Sequence, residues 1–425
     1  MERKVKLIGP EYIEEYLTIY LNAYPAFKSI GKEGREAKRQ IIIPSMEHDK
    51  NIHFYGLFEG ETLIAVMKLI DFSMNLFGEM RPAVGLMSLA VHPLHKKKGA
   101  ALDMVRFFEK YTVDSGGLVS LLLPFNMGFY RKMGYGYGTK LEEYRIPTGH
   151  LPVCSKEDLS ALKILGAEDF DDVLACHSAC AKQNHGMLEK FEDEIRDMKA
   201  DSESRRIGYR KDGVLQGYVS FRFFSDSDVN YTLNRMEVSE IVCADSRVFC
   251  SLLGFLRLQA DLAQTVVIRT GEEDFYHNLD DAQDVSGNYV NFGFLQTNIS
   301  AVGTMYKIPD IQRFITATDY RRFPADELAV TFVCQDELHH CEKTFGIRFE
   351  KSSSFESRWS LLPANAQTQT AVRCRLSDLS SLLLGSCHLA PLVRMGSMEL
   401  SDPNYLDRLD RLFHCRQKPW TNTDY

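Results

Sequence analysis

Three consecutive lysines and a glycine, Lys96-Lys97-Lys98-Gly99, stand between a short apolar run and a stretch of helical periodicity. The run from Val84 to Val91 is mostly apolar, as a strand buried on both faces requires, and His92-Pro93 ends it. Beyond the glycine, Ala101, Met104, Val105, Phe108 and Thr112 recur at helical spacing along one face. A helix N-terminus is already positive, because its first amides lack intrahelical acceptors and the macrodipole adds to them. Cations placed there call for an anion. Amides left open around Gly99 and Ala100, ringed by Lys96 to Lys98, suit a pyrophosphate. A solvated lysine cluster beside a surface turn has the same composition, so the loop alone leaves both readings open.

A second block follows the apolar run Leu118 to Leu123: Asn126-Met127-Gly128-Phe129-Tyr130-Arg131-Lys132-Met133-Gly134-Tyr135, about 30 residues beyond the first. The two blocks in this order resemble the GNAT N-acetyltransferase superfamily. Its cofactor signature, Gln/Arg-x-x-Gly-x-Gly/Ala after the central strand, reads here as Lys96-x-x-Gly99-x-Ala101, and its Asn-led Phe-Tyr-x-Lys-x-Gly-Phe/Tyr segment matches the second block. Lysine departs from the usual first residue at a position that mainly offers backbone and positive charge. The resemblance implies acetyl-CoA as co-substrate, bound by Leu89, Ala90 and Val91 on the central strand. Lys96, Lys97, Lys98, Gly99, Ala100, Ala101 and Leu102 in the loop and helix start, together with Asn126, would complete that site. It also implies a central strand that splays from its neighbour and turns amides toward the thioester oxygen, where such donors stabilise developing charge.

With 425 residues and 44% hydrophobic content the chain exceeds one ordinary core, so two or three domains are expected. Met1 to Leu7 lack the apolar segment of a secretory signal, and Leu118 to Phe125 is too short to span a bilayer; the expectation is a cytoplasmic protein with no membrane partner. A net charge of −8 argues against broad nucleic-acid binding and permits a cationic substrate. Ten irregularly spaced cysteines without a signal point to reduced thiols. Cys176-His177-x-x-Cys180 near His185, and Cys334 with His339-His340-Cys341, have ligand types, but buried thiols on apolar faces account for them, and no metal is expected.

The elements that must position these residues form an α+β pattern. Residues 1–150 read as a helix from Glu11 to Asn22 stopped by Tyr24-Pro25, a hairpin of His53–Phe58 and Thr62–Leu69 about Glu59-Gly60-Glu61, then the central strand and cofactor helix. Residues 151–295 echo that order with Ile207 to Val219, Met236 to Val242, a helix from Ser246 to Ala263 and a strand from Thr265 to Arg269. Asp245-Ser246-Arg247 replaces the basic glycine loop, so the second copy reads as degenerate. In residues 296–425, strands at Thr331–Cys334, Gly346–Phe349 and Val372–Leu376 lead to a helix capped by Ser377 and ended by Gly385, with another from Pro403 to Phe413. This last portion is similar to the sterol carrier protein fold.

Two GNAT folds, the second degenerate, followed by a sterol-carrier-like α+β domain resemble the Eis (enhanced intracellular survival) family of acetyltransferases over essentially the whole chain. The resemblance implies a homo-oligomer, in that family a hexamer, acetylating a small-molecule amine or lysine side chain. It assigns Tyr130 as the general acid for the departing thiolate and the α-carboxylate of Tyr425 as general base. Asp424 is the expected acidic contact to the acceptor, and Tyr24 and Phe27 are expected to wall its pocket; the absence of a carboxylate between Asn22 and Lys28 argues against aminoglycosides. The competing readings are a lipid carrier on an inert acetyltransferase-like scaffold and a catalytically inert assembly or regulatory protein.

Overall fold

The structure is a computed structural model that describes residues 2–25, 31–363 and 365–423. The expectations for Phe27, Asp424 and Tyr425 lie outside the described residues. The first unit runs β1 (Arg3–Leu7), α1 (Ile13–Ala23), α2 (Lys32–His48), β2 (Ile52–Glu59), β3 (Thr62–Leu76), β4 (Glu79–Val91), α3 (Ala100–Asp114), β5 (Val119–Leu122), α4 (Met127–Arg131) and β6 (Gly136–Tyr137). Leu63 to Ile70 of β3 are all buried because helices cover both faces. Val66 and Ile70 pack with Tyr16 and Leu17 of α1, while Met67 and Leu69 pack with Met104, Val105 and Phe108 of α3. That two-sided burial explains why β3 reads as an unbroken apolar run.

The two main sheets exchange strands across the expected limits at 150 and 295. Strand β7 (Lys140–Pro147) leaves the first sheet and lies between Ile299–Val302 and Thr265–Thr270 in the second. In return Met305–Lys307 enters the first sheet between β5 and β6. Gly138 permits the crossing, since a Cβ there would meet the Thr304 carbonyl oxygen at 2.2 Å. The second sheet continues through Asn234–Cys243, Val214–Ser225, Arg205–Lys211 and Leu162–Leu165, the β-order of the first unit repeated. Its helix ends at Arg257, shorter than the expected span to Ala263, and Leu258 to Leu262 continue as turns.

A third sheet, ordered Phe323–Pro324, Glu356–Leu362, Cys341–Lys351, Leu328–Asp336, Thr370–Arg375 and Met398–Leu400, carries the helix Leu376–Leu384. All nine of its residues are buried. Ser377, the expected cap, lies inside this helix; the cap position is Arg375, without a side-chain acceptor. The serines serve the first sheet instead: Ser380 accepts from the Ile308 amide at 3.3 Å and Ser381 donates to the Tyr137 carbonyl at 2.8 Å. Gly385, in the left-handed conformation at φ 83°, ends the helix as expected.

His185 joins all three units. Its Nδ1 accepts from the Phe77 amide at 3.1 Å and its Nε2 donates to the Leu384 carbonyl at 2.8 Å, which fixes the neutral tautomer. Its ring stacks on Phe77, and the Arg321 guanidinium lies 3.9 Å from that same phenyl centroid. Burial, with Arg321 nearby, lowers the imidazole from 6.5 to about 4. Protonation would remove the acceptor for Phe77, so the unfolded chain takes up a proton at higher pH than the folded one. The stabilisation is therefore complete above pH 6.5 and is lost as pH falls toward 4, an effect of about 3 kcal/mol. His185→Gln should remove this part of the acid sensitivity, measured as a shallower dependence of the unfolding midpoint on pH across that window.

Candidate active site

Between Val66↔Ala90 and Lys68↔Met87 the register of β3 and β4 slips, so that Ser88 and Leu89 together face Met67. Ser88 lies at φ 57°, the left-handed region, and the bulge turns the strand there. On its other side β4 is bonded to β5 only from Ala83 to Leu86, so the two parallel strands part ahead of the bulge. The splay expected at Leu89 to Val91 thus has a local cause. The Ser88 side chain lies beside the buried phenols of Tyr16 and Tyr20, whose pKa values burial raises and Ser88 partly lowers. Tyr24 donates to the Leu89 carbonyl at 3.1 Å, and its pKa is pushed up to about 12 by burial and by Tyr20.

Downstream of the bulge, Lys97 (φ 60°) and Gly99 (φ 87°) both adopt left-handed backbone, folding the lysine segment into a loop ahead of α3. Lys96, Lys97 and Lys98 are exposed, whereas Ala100 is buried and Ala101 and Leu102 pack against the core. Gly99 gives α3 no side-chain cap, and the first inward bond is from the Asp103 amide to the Gly99 carbonyl at 3.0 Å. Arg3 holds the loop by donating to the Lys98 carbonyl at 2.9 Å while paired with Asp103 at 3.0 Å and Glu59 at 3.0 Å. Open amides, small residues and three cations make a cradle whose chemistry fits a diphosphate. In the second unit the matching helix has its N-terminus capped by Asp245, which accepts from the Val248 amide at 2.9 Å. A carboxylate there excludes an anion.

Tyr130 sits on α4, whose N-cap Asn126 accepts from the Phe129 amide at 3.0 Å and is itself exposed. The Tyr130 ring is 3% exposed, and its pKa is raised by burial and by the neighbouring Tyr24. Arg131, next in α4, is paired with Asp378 of the buried helix at 2.6 Å.

The tail is docked as far as Thr423, the last residue described. Thr139 donates to the Pro419 carbonyl at 2.5 Å, the Trp420 amide to the His185 carbonyl at 3.1 Å, and Asn422 to the Ile241 carbonyl at 3.1 Å. Thr423 is 4% exposed, its hydroxyl 3.5 Å from the Leu188 carbonyl. Asn422 lines a cavity of about 560 Å³ shared with Met87, Ser88, Tyr16 and Tyr20 of the first unit. The second unit supplies the opposite wall, where Lys190 pairs with Glu194 at 2.6 Å and Glu240 at 2.9 Å and points to the Asn422 carbonyl at 3.4 Å. Glu240 is also bonded to Tyr218 at 2.7 Å and to His177 at 3.2 Å, and Lys190 first among its partners holds it ionised, with its pKa near 2 despite burial. His177, singled out for its spacing with cysteines, serves this network and the Leu188 carbonyl at 2.9 Å.

Of the residues picked from sequence, the structure gathers Leu89, Tyr24 and Tyr130 at the splay, and Lys96 to Leu102 in one loop and helix start. Tyr24 contacts the bulge and is not part of the cavity lining. Sequence reasoning missed Ser88, Tyr16, Tyr20, Lys190 and Glu240. The first depends on a positive φ in a non-glycine, which no residue type announces, the two tyrosines on how α1 packs over the bulge, and Lys190 and Glu240 on packing between units. The helical stripe Tyr16, Tyr20, Tyr24 was the available signal for two of them.

Comparison with known proteins accords with this architecture. Models of an acetyltransferase (GNAT) domain match residues 4–138 and 186–295, and a sterol carrier protein domain model matches 311–422. An uncharacterized N-acetyltransferase of Streptomyces avermitilis is 22% identical over 418 residues, 93% of each chain. N-acetyltransferase Eis of Mycobacterium tuberculosis is 29% identical over 92 residues, 21% of this chain and 23% of that one. Among solved structures, a GCN5-related N-acetyltransferase from Anabaena variabilis superposes with TM-score 0.79 at 15% identity, covering 100% of both chains. Eis1 from Mycobacterium abscessus gives TM-score 0.75 at 17% identity, again with 100% of both covered.

The docking of the tail depends on Gly186, at φ 89°, where a Cβ would meet the Pro419 and Trp420 backbone at 2.4 Å. Gly186→Ala should loosen that passage and speed tryptic cleavage after Arg416, followed by mass spectrometry; an unchanged rate would show that the tail is held elsewhere.

Proposed function

Starting from a chain that is an acetyltransferase of the GNAT superfamily, with two GNAT domains and a sterol carrier protein domain in the Eis-like order, we propose that it moves the acetyl group of acetyl-CoA directly to a primary amine. Lys96 to Lys98 and the open amides from Gly99 to Leu102 hold the diphosphate, and the backbone of Leu89 to Val91 meets the thioester at the splay. The amine enters from the cavity walled by both GNAT domains. The observation that supports this reading is the Tyr24 hydroxyl bonded to the Leu89 carbonyl at the splay, with burial first and then the same Tyr24 raising the pKa of Tyr130 so that its phenol stays protonated.

As the amine attacks, the carbonyl carbon–sulfur bond breaks and sulfur takes the electron pair. Tyr130 gives that sulfur its proton. A buried phenol is a weaker acid than a free one, yet burial makes a leaving thiolate more basic by the same physics. Buried thiols of this chain show the effect: Cys176 and Cys243 are pushed up to about 12. The α-carboxylate of Tyr425 takes the proton from the amine, directly or through water. Its usual pKa of about 3.5 makes it a weak base in solution, and desolvation strengthens it. Docking through Thr423 supports this role, since two further residues reach about 7 Å.

The direct test mixes purified protein, acetyl-CoA and a panel of primary amines and measures thiol release; no binding of acetyl-CoA at millimolar concentration would end the proposal. Tyr130→Phe should lower turnover roughly 10²- to 10⁴-fold with cofactor affinity nearly kept, whereas equal loss of both would mean that the ring only packs. Residues appended after Tyr425 should abolish turnover and leave acetyl-CoA binding intact by calorimetry.

A further inference from the structure

The negative net charge suggests a cationic acceptor, but six basic and five acidic side chains line the cavity. Four of the basic groups are neutralised within its walls: Lys68 and Arg196 by Asp193, Lys190 by Glu194 and Glu240, and Arg222 by Asp201. Arg206 is different. Among the described residues it forms no ion pair; its guanidinium lies 5.9 Å from the Phe170 ring centroid, its one side-chain hydrogen bond runs from Nη2 to the Met198 carbonyl at 3.2 Å, and its Nε is buried without an acceptor. Directly across the antiparallel ladder from Arg206 stands Ser220, 4% exposed, whose Oγ is also buried without a partner. Ser220 is in turn paired with Glu240 on the next strand. Cross-strand neighbours project on one face, so Arg206, Ser220 and Glu240 form a row of cation, hydroxyl and anion, all three lining the cavity. The row ends beside Lys190 and the docked tail.

We propose that the second GNAT domain, which lacks a diphosphate loop, binds the acceptor, and that the acceptor carries a carboxylate as well as its amine. Arg206 and Ser220 take the carboxylate, which gives partners to two polar side chains whose Nε and Oγ have none in the structure, and the ammonium lies toward Glu240 and the tail. Two strand spacings, about 10 Å, separate the ends of the row, which suits an extended chain between the two groups, as in an ω-amino acid. This deepens the acetyl-transfer reading and rests on it.

The test compares ε-aminocaproate with hexylamine, the same chain without the carboxylate, by calorimetry in the presence of CoA and by thiol release with acetyl-CoA. The amino acid should bind roughly tenfold or more tightly, and Arg206→Met and, separately, the near-isosteric Ser220→Ala should each lower that preference toward unity. Equal affinity for the two ligands overturns the proposal. So does an Arg206→Met variant that loses turnover with both amines alike, for the pair would then hold the chain's own terminal carboxylate. Tighter binding of the amino acid without thiol release from either amine would leave the carboxylate site standing and refute acetyl transfer instead.

Discussion

Nine consecutive buried residues, Leu376–Leu384, fasten the C-terminal domain to the sheet that carries Ser88, and the geometry of the site depends on that attachment. Its five leucines remove apolar surface worth about 2 kcal/mol each, while Ser380 and Ser381 bond the Ile308 amide and the Tyr137 carbonyl and Asp378 pairs with Arg131. A helix buried on every side cannot slide without breaking both kinds of contact. The tail that follows is therefore delivered to a fixed place, through His185 and Gly186, to the cavity wall at Asn422. The strand exchange works in the same direction. With β7 in the second sheet and Met305–Lys307 in the first, the two GNAT units cannot separate without breaking main-chain ladders in both.

The two GNAT units differ in one local feature at a helix start. In the first, Gly99 leaves the amides of α3 open and lysines surround them; in the second, the Asp245 carboxylate already occupies the equivalent amides. Losing the anion site leaves the second sheet free to present a row of polar side chains toward the first unit. Placed among low-dielectric walls, those groups are paired or await a partner, because an isolated buried charge is costly. Lys190, shared between Glu194, Glu240 and the Asn422 carbonyl, shows how closely the pairing is tied to the chain end.

Much of this was legible in residue order. Helical periodicity beyond Gly99 announced α3, and the strand, glycine turn and strand from Ile207 to Val219 announced the second hairpin. The misreadings share one cause. Ser377 looked like a cap because serine before an apolar run is a local signal, yet its helix is buried and its neighbouring serines answer to another domain. The hairpin strand β3 extends to Leu76, beyond the expected Leu69, because its continuation pairs with β4, a partner that local pattern does not name.

The sequence by itself determined the three units, the order of their elements and the charge of the loop before α3, since these follow from periodicity, glycine placement and side-chain type within a few residues of one another. Only the tertiary structure decided which strands each sheet keeps, where the bulge at Ser88 falls, and that Arg206, Ser220, Glu240 and Asn422 share one cavity. Those outcomes are set by contacts between segments far apart in the chain, whose free energy depends on shape and on satisfying buried polar groups across domains. No short window of residues contains both partners.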